Sequence, residues 1–341
     1  MKAMKWLATL CLIFLSSCSS NDKELHIYSW GDYINPEVVK KFEEKYHCRV
    51  ILDTYDSNES MYSKLKSGAT GYDLIFPSNY ILDLLNQQQM LQPIDKTKIP
   101  NLKYLDTHLI ELLKTTVDAS SIPYMLTFSG IGYRQDHLSN MVDSWNAFGQ
   151  SQWRGRMTML NDFRETIGAG LKYLGYSVNS KEEKEIQAAA DQVIKWRNNL
   201  AKFESEQYKN GIATAEFLVV HGYNGDILQV MQEDKGVNFI YPKEGAVVSC
   251  DYLAIPKNAP QNALAHEFIN FLYEPEMAAL NMSTTLFISP NKQAYRYLAP
   301  HLKNNPVLFP SDETLEKMEL ILDLGQDIVK YHRAWDRIKS G

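Results

Sequence analysis

Acidic and aromatic side chains recur at one kind of place in this chain of 341 residues, beside short apolar runs with β character. Trp30 and Tyr33 follow the run at 25–28, Ser78 and Tyr80 the run at 73–76, and Asp162 and Glu165 the run at 157–160. Tyr223 and Asp226 follow 217–220, and Asp251 stands just before 252–255, near a crossover of the chain. Ligands of open α/β sheets bind beyond the carboxyl ends of the strands, so parallel pairing of these runs would gather the residues into one site. Singly, each has a simpler role: Asp162 and Glu165 as a helix cap and its partner, Trp30 and Tyr33 as core aromatics, Asp226 as a turn residue. The joint pattern argues for binding.

That set suits a linear polyamine. Ammonium groups need carboxylates, and such charge-assisted hydrogen bonds are roughly twice as strong as neutral ones. The methylene stretches need flat apolar walls, and aromatic faces also attract the cations by roughly 0.5–2 kcal/mol each. Several charges leave water together only if each finds a partner, so the carboxylates must be spread along the ligand.

The elements that must position these residues alternate in type. The strand at 25–28 leads to a helix capped by Asn35, with Pro36 in its first turn and Val38, Val39, Phe42 and Tyr46 as its buried stripe. A strand at 50–52, a short helix over 61–65 stopped by Gly68 and a strand at 73–76 follow. Further on, 157–160 reads as a strand, and Ser180-x-x-Glu183 as a capping box before a helix carrying Ile186, Ala190, Val193 and Ile194. Runs at 217–220 and 239–241 read as strands, 264–272 as an amphipathic helix, and 313–338 as largely helical. This order predicts an α/β protein whose mainly parallel sheets carry helices on their faces, in two lobes that the chain crosses between more than once.

Composition removes several function classes. Lys and Arg total 35 against 41 Asp and Glu, a formal charge of −6, which gives no basic surface for nucleic acid. The eight histidines form neither an HExxH nor a CxxC–His pattern, so no metal is expected. Gly168-Ala169-Gly170 with Gly175 fits neither phosphate-binding glycine pattern and reads as close packing. A GxSxG elbow is missing, which lowers the case for a secreted hydrolase. No cofactor is expected.

Residues 1–17 read as a secretory leader: Lys2 and Lys5 precede an apolar run over 6–15, too short to span a bilayer. Leu15-Ser16-Ser17-Cys18 resembles the lipobox of bacterial lipoproteins, which would leave Cys18 as a lipidated first residue and 18–23 as a tether. Losing 1–17, with two lysines and no acid, takes the formal charge to −8. Cys48 and Cys250, 202 positions apart, imply no disulfide framework.

The residues beside the strands lie where the chain resembles the extracytoplasmic substrate-binding proteins of bacterial spermidine/putrescine ABC importers. The matching stretches are YSWGDYINPEVVKKFE (28–43), TYDSNESMYSKLKSGATGYDLIFPSNY (54–80), SIPYM (121–125), KYLGYSVN (172–179), YPKEG (241–245), DYLAIPKNA (251–259) and INFLYEPEMA (269–278). The resemblance implies a two-lobed periplasmic-binding-protein fold of type II-like build, with 24–128 plus 253–297 as first lobe and 129–252 plus 298–341 as second. It implies a monomer that closes on its ligand and docks on a permease driven by an ATPase. By position, Trp30, Tyr33, Ser78 and Tyr80 would line the first lobe, Asp162 and Glu165 would hold one amine, and Asp251 another near the hinge. Tyr223 stands where the family has Trp, and Asp226 matches an acid of the putrescine-preferring branch. Ser249 replaces a large aromatic, Phe287 a Tyr and Ile321 a Gln. These departures keep open a second reading, the same fold binding a different cationic metabolite.

Overall fold

Alternating burial over residues 23–30, with Leu25 and Ile27 inside, produces the first strand, β1 (Lys23–Trp30). The structure is a computed structural model that describes residues 23–112, 118–138 and 140–340. The leader and Cys18 lie outside the described residues. After β1 come α1 (Pro36–Tyr46), β2 (Cys48–Tyr55), α2 (Asn58–Lys66), β3 (Leu74–Ile75), α3 (Asn79–Gln87), α4 (Thr107–Leu112) and the long β4 (Ser121–Arg134). The chain continues through β5 (Met157–Met159), α5 (Phe163–Tyr173), α6 (Glu183–Arg197), β6 (Lys202–Phe203), α7 (Tyr208–Ala213), β7 (Val219–Tyr223), α8 (Asn224–Glu233) and β8 (Val237–Ile240). It ends with β9 (Val247–Ala254), α9 (Asn262–Leu272), α10 (Pro275–Thr285), α11 (Pro300–Lys303), α12 (Asp312–Leu315), β10 (Glu319–Leu320) and α13 (Ile328–Ser340).

The strands run in the order β2-β1-β3-β9-β4-β7-β5-β6, with β10 beside β9 and β8 beside β4. β1 is parallel to β2 and β3, β5 to β6 and β7, and β10 to β9, while β4 is antiparallel to β7, β8 and β9. The strand β4 changes partners along its length. Residues 121–128 pair with β9, next to β3, and residues 129–134 pair with β7 and β8. The result is the expected two-lobed α/β architecture, with helices on the sheet faces.

The core divides into two main apolar clusters, one within the first lobe and the other reaching from the second lobe to Tyr28, Met61 and Leu85 of the first. In one, Phe42 of α1 meets Phe268 edge-on at 4.7 Å between ring centroids, above Leu253 and Ile255. In the other cluster, Ile186, Val193 and Trp196 of α6 pack with Trp145 and Phe148. Trp30 and Tyr223 pack against both. Asn35 caps α1 as read from sequence, its side chain accepting from Glu37 N at 2.7 Å. At Gly170 a Cβ would stand 3.0 Å from the carbonyl oxygen of Ala189, the close packing the motif implied.

Three local expectations change. Ser180 does not cap α6; Glu182 is the N-cap residue, while Ser180 accepts from Glu182 N and donates to Glu185. Tyr331 of α13, whose hydroxyl donates to the carbonyl oxygens of Ser180 and Val178, holds that segment outside the helix. The 313–338 stretch is not one helical region: Glu319 and Leu320 pair with Val247 and Val248, and Gly325 turns the chain at φ 57°. Lys172 and Ser177 anchor the Glu319 carboxylate there. Finally, Asp73 is outside β3, its carboxylate accepting from His26 N and Gln261 N.

Candidate functional site

Most of the sequence-nominated residues sit near strand ends and helix starts, but Asp251 lies inside β9 rather than before a strand, and Phe287 follows α10 in a loop. Trp30 ends β1, and its indole N–H donates to Phe76 O at 2.9 Å while its ring lies 4.6 Å from that of Tyr55. Ser78 occupies the N-cap of α3 but makes no side-chain cap. Its hydroxyl donates to Asp251 Oδ1 at 2.5 Å, and the Tyr33 hydroxyl donates to Oδ2 at 2.5 Å. Asp251, on β9, is thus gripped from two loops of the first lobe. Burial raises its pKa to about 6, with the two hydroxyl donors pulling the other way.

The other acids lie where α5 and α8 begin. Asp162 is the N-cap of α5, Oδ1 accepting from Arg164 N at 2.7 Å and from Glu165 N at 3.0 Å. The simpler role of Asp162 as a cap therefore holds, and leaves its other oxygen to the site. Glu165 is 2% exposed, and its Oε2 has no hydrogen-bond partner. Burial pushes its pKa up to about 8, the Asp162 charge adds to this, and the Ser129 and Ser249 hydroxyls and Arg164 oppose it. The positive end of the α5 dipole favours the anion but does not outweigh the loss of water.

Tyr80 and Tyr223 connect the two sides. The Tyr80 ring packs against Val178, Val247 and Ile321 of the second lobe, and its hydroxyl accepts from Asn58 Nδ2 at 3.0 Å. Burial raises its pKa well above the phenol value, and Asp162 adds to that. The Tyr223 hydroxyl is raised by burial, then by Glu165 and Asp162. Phe287 follows Leu286, whose backbone is left-handed at φ 56°, and its ring stands 6.0 Å from that of Tyr33.

Asp226, in the first turn of α8, accepts from the Tyr208 hydroxyl and faces Lys209, whose Nζ is 3.9 Å from Oδ1. With Asp32, Tyr33 and Phe287 it lines a cavity of about 180 Å³ between the lobes. Tyr33, Ser78 and Asp251 are therefore joined directly, Asp162 and Glu165 share one helix turn, and Tyr80 and Tyr223 lie in the field of those acids. Trp30 reaches the group through Phe76 rather than by a bond to any acid.

Several residues of this region were not nominated from sequence. Arg164 is 2% exposed, donating to Leu322 O and Asn179 Oδ1, and places a fixed cation behind Asp162 and Glu165. His221 lies under Glu165, and burial lowers its pKa to about 3. Tyr208 and Lys209 reach Asp226 from α7, in a polar stretch with no local signal for them. Among the described residues, no three His, Cys, Asp or Glu side chains are grouped to hold a metal ion.

Known proteins share this fold. Residues 37–310 match the family described as bacterial extracellular solute-binding protein. The spermidine/putrescine-binding periplasmic protein of Escherichia coli is 32% identical over 334 residues, 97% of this chain and 96% of that one. The putrescine-binding periplasmic protein SpuD of Pseudomonas aeruginosa is 34% identical over 343 residues, 95% of this chain and 94% of that one. The structure of the TpPotD lipoprotein of Treponema pallidum superposes with a TM-score of 0.84 at 33% identity, covering 93% of this chain and 99% of that one. The chain belongs to the bacterial extracellular solute-binding proteins, extracytoplasmic binding components rather than enzymes.

Proposed function

We propose that this protein is the substrate-binding component of a polyamine ABC importer, capturing putrescine or spermidine in an acidic, aromatic cleft that closes on binding. The observation that carries the reading is Asp251, buried and held by Tyr33 and Ser78, together with the acidic pair Asp162 and Glu165 at the start of α5. Several carboxylates with few cations among them, walled by Trp30, Tyr80, Tyr223 and Phe287, match a flexible chain of ammonium groups. Asp226 supplies a further carboxylate. The kinship with spermidine/putrescine-binding and putrescine-binding proteins points the same way.

In this reading 24–128 plus 253–297 make one lobe and 129–252 plus 298–341 the other, and a ligand touching both stabilises the closed form. The partners are a membrane permease and its ATPase, and the binding protein acts as a monomer. Cys18 carries the lipid that ties it to the outer face of a membrane.

A second reading, a different cationic metabolite in the same cleft, rests on Ser249, Phe287 and Ile321. Ile321 is buried among Val178 and Val247, so an apolar wall stands there in place of an amide. Calorimetric titration with putrescine, spermidine and basic amino acids decides between the two. Saturable binding of a polyamine is the expected result; binding of a basic amino acid alone would install the second reading.

A further inference from the structure

Val219, His221 and Tyr223 alternate onto one face of β7. Tyr223 lies in the field of Glu165, and one pleat deeper His221 brings Nε2 to 3.8 Å from Glu165 Oε2. The imidazole is completely buried, and neither ring nitrogen has a hydrogen-bond partner. The Trp145 indole beside it gives its N–H to Gly245 O. Two unpaired polar atoms in the interior cost free energy that an apolar side chain of similar size would not, so packing alone does not account for a histidine here.

The Glu165 carboxyl shows what the ring is placed to serve. Asp162 and Arg164 act on it from its own helix, and Ser129 and Ser249 bring hydroxyls from β4 and β9. Tyr208 of α7 and Tyr223 of β7 also lie in its field. An ionised carboxylate only accepts hydrogen bonds, and a buried oxygen of it needs a donor. A neutral imidazole supplies that donor without a positive charge to oppose an incoming ammonium. An approach of about 1 Å brings Nε2 into hydrogen-bond range. With Nδ1 uncommitted, nothing pins the ring in the opposite tautomer.

We infer that His221 is a positioning residue for ligand binding, whose Nε2–H donates to Glu165 Oε2 in the ligand-bound protein and fixes the carboxylate as the anion that grips an ammonium group. This rests on the polyamine reading above. The same bond forms when Glu165 ionises without ligand. It therefore favours binding only at pH values where the empty site is protonated, and cancels above them.

The test is calorimetric titration with putrescine, from about pH 6 to about pH 9, of wild type, His221→Leu and His221→Gln. Leucine fills the space with no polar atom, while the glutamine amide returns an N–H near the place of Nε2. In His221→Leu, affinity at neutral pH should fall at least about tenfold, the scale of one hydrogen bond to a charged group, and the pH at which affinity stops rising should move up by at least about one unit. His221→Gln should recover most of the affinity and the wild-type profile. An equal loss at every pH, an unchanged profile in His221→Leu, or a folded His221→Gln as impaired as His221→Leu would each overturn the inference and leave the polyamine reading intact. Without any variant, the imidazole nitrogen resonances of wild type bound to putrescine should show His221 neutral with its proton on Nε2; a proton on Nδ1 instead would overturn the inference as well. Wild type that binds neither putrescine nor spermidine would overturn the polyamine reading, and the inference with it.

Discussion

Glu165 Oε2 lies 3.8 Å from His221 Nε2, and the two groups face each other uncharged at neutral pH. Burial drives the carboxyl up to about 8 and the imidazole down to about 3, so neither forms an ion pair with the other. Both His221 nitrogens and Glu165 Oε2 are without hydrogen bonds, with the Trp145 ring edge-on to the imidazole at 4.8 Å. Such a carboxyl is poised to ionise when a cation arrives.

Polyamine binding should therefore expel a proton. At pH 7 the ligand-free Glu165 is largely protonated, and an ammonium beside it favours the anion. Titrations in buffers of different ionisation heat should show close to one proton released per ligand. Affinity should increase with pH by up to about tenfold per unit until about pH 8, then level off. Glu165→Gln should remove both the proton release and the slope. Asp251, raised only to about 6, adds to the slope below that pH.

The same acid weakens the ligand-free fold at high pH. Its folded pKa, about 8, exceeds the unfolded value near 4.5, so the native state holds a proton that the unfolded chain gives up. Stability must then fall as pH rises between those values. Glu165→Gln, which needs no proton, should be more stable than wild type by about 2–4 kcal/mol at pH 8 and nearly equal at pH 4. Urea unfolding at the two pH values measures the difference.

Asp251→Asn should weaken polyamine binding by about 3–5 kcal/mol, the loss on removing one partner of a buried charge pair. Tyr33→Phe and Ser78→Ala each delete one donor to Asp251 and should lose about 1–2 kcal/mol. Full affinity in all three variants, read by calorimetry, would remove Asp251 from the site.

Gly225 is a packing requirement of the cleft. A Cβ there would stand 2.5 Å from the Phe287 ring and 2.8 Å from Leu286 O. Gly225→Ala should destabilise the protein by about 1–3 kcal/mol, and Phe287→Leu should recover part of that loss. Thermal unfolding of the single and double variants tests the pairing.

Membrane attachment is a separate matter. Cys18→Ser should abolish acylation and release the protein from membranes, as read by fractionation. A variant that stayed attached would remove Cys18 as the anchor.

Much of the frame was legible because its signals are local. Asn35 and Pro36 announce α1, and the apolar runs that end near residues 30, 160 and 223 mark strands whose ends carry the site. The strand β4 was not legible from pattern, because its burial is nearly continuous and Pro123 and Gly130 read as breaks. Its pairing irregularity between Pro123 and Met125 absorbs that proline. Glu319 and Leu320 look helical because only tertiary contacts, to β9 and Lys172, draw them into a strand. At the site, the acids declared themselves by type and position. Their modifiers Arg164, His221, Tyr208 and Lys209 did not, since each acts through a contact between segments distant in sequence or on a short polar helix.

The partner exchange in β4 falls between Phe128 and Ser129, where Val248 of β9 is paired on both edges, with Phe128 of β4 and Leu320 of β10. A ribbon bonded along both edges resists flexure, so any swing of one half of the molecule concentrates its torsion where the ladder hands over. Ser129 and Ser249, whose hydroxyls steady the Glu165 anion, sit at that handover. In the proposed closure, bending at this pivot would move the Ser129 and Ser249 hydroxyls, so that shutting the jaws would retune the acidity of the Glu165 grip.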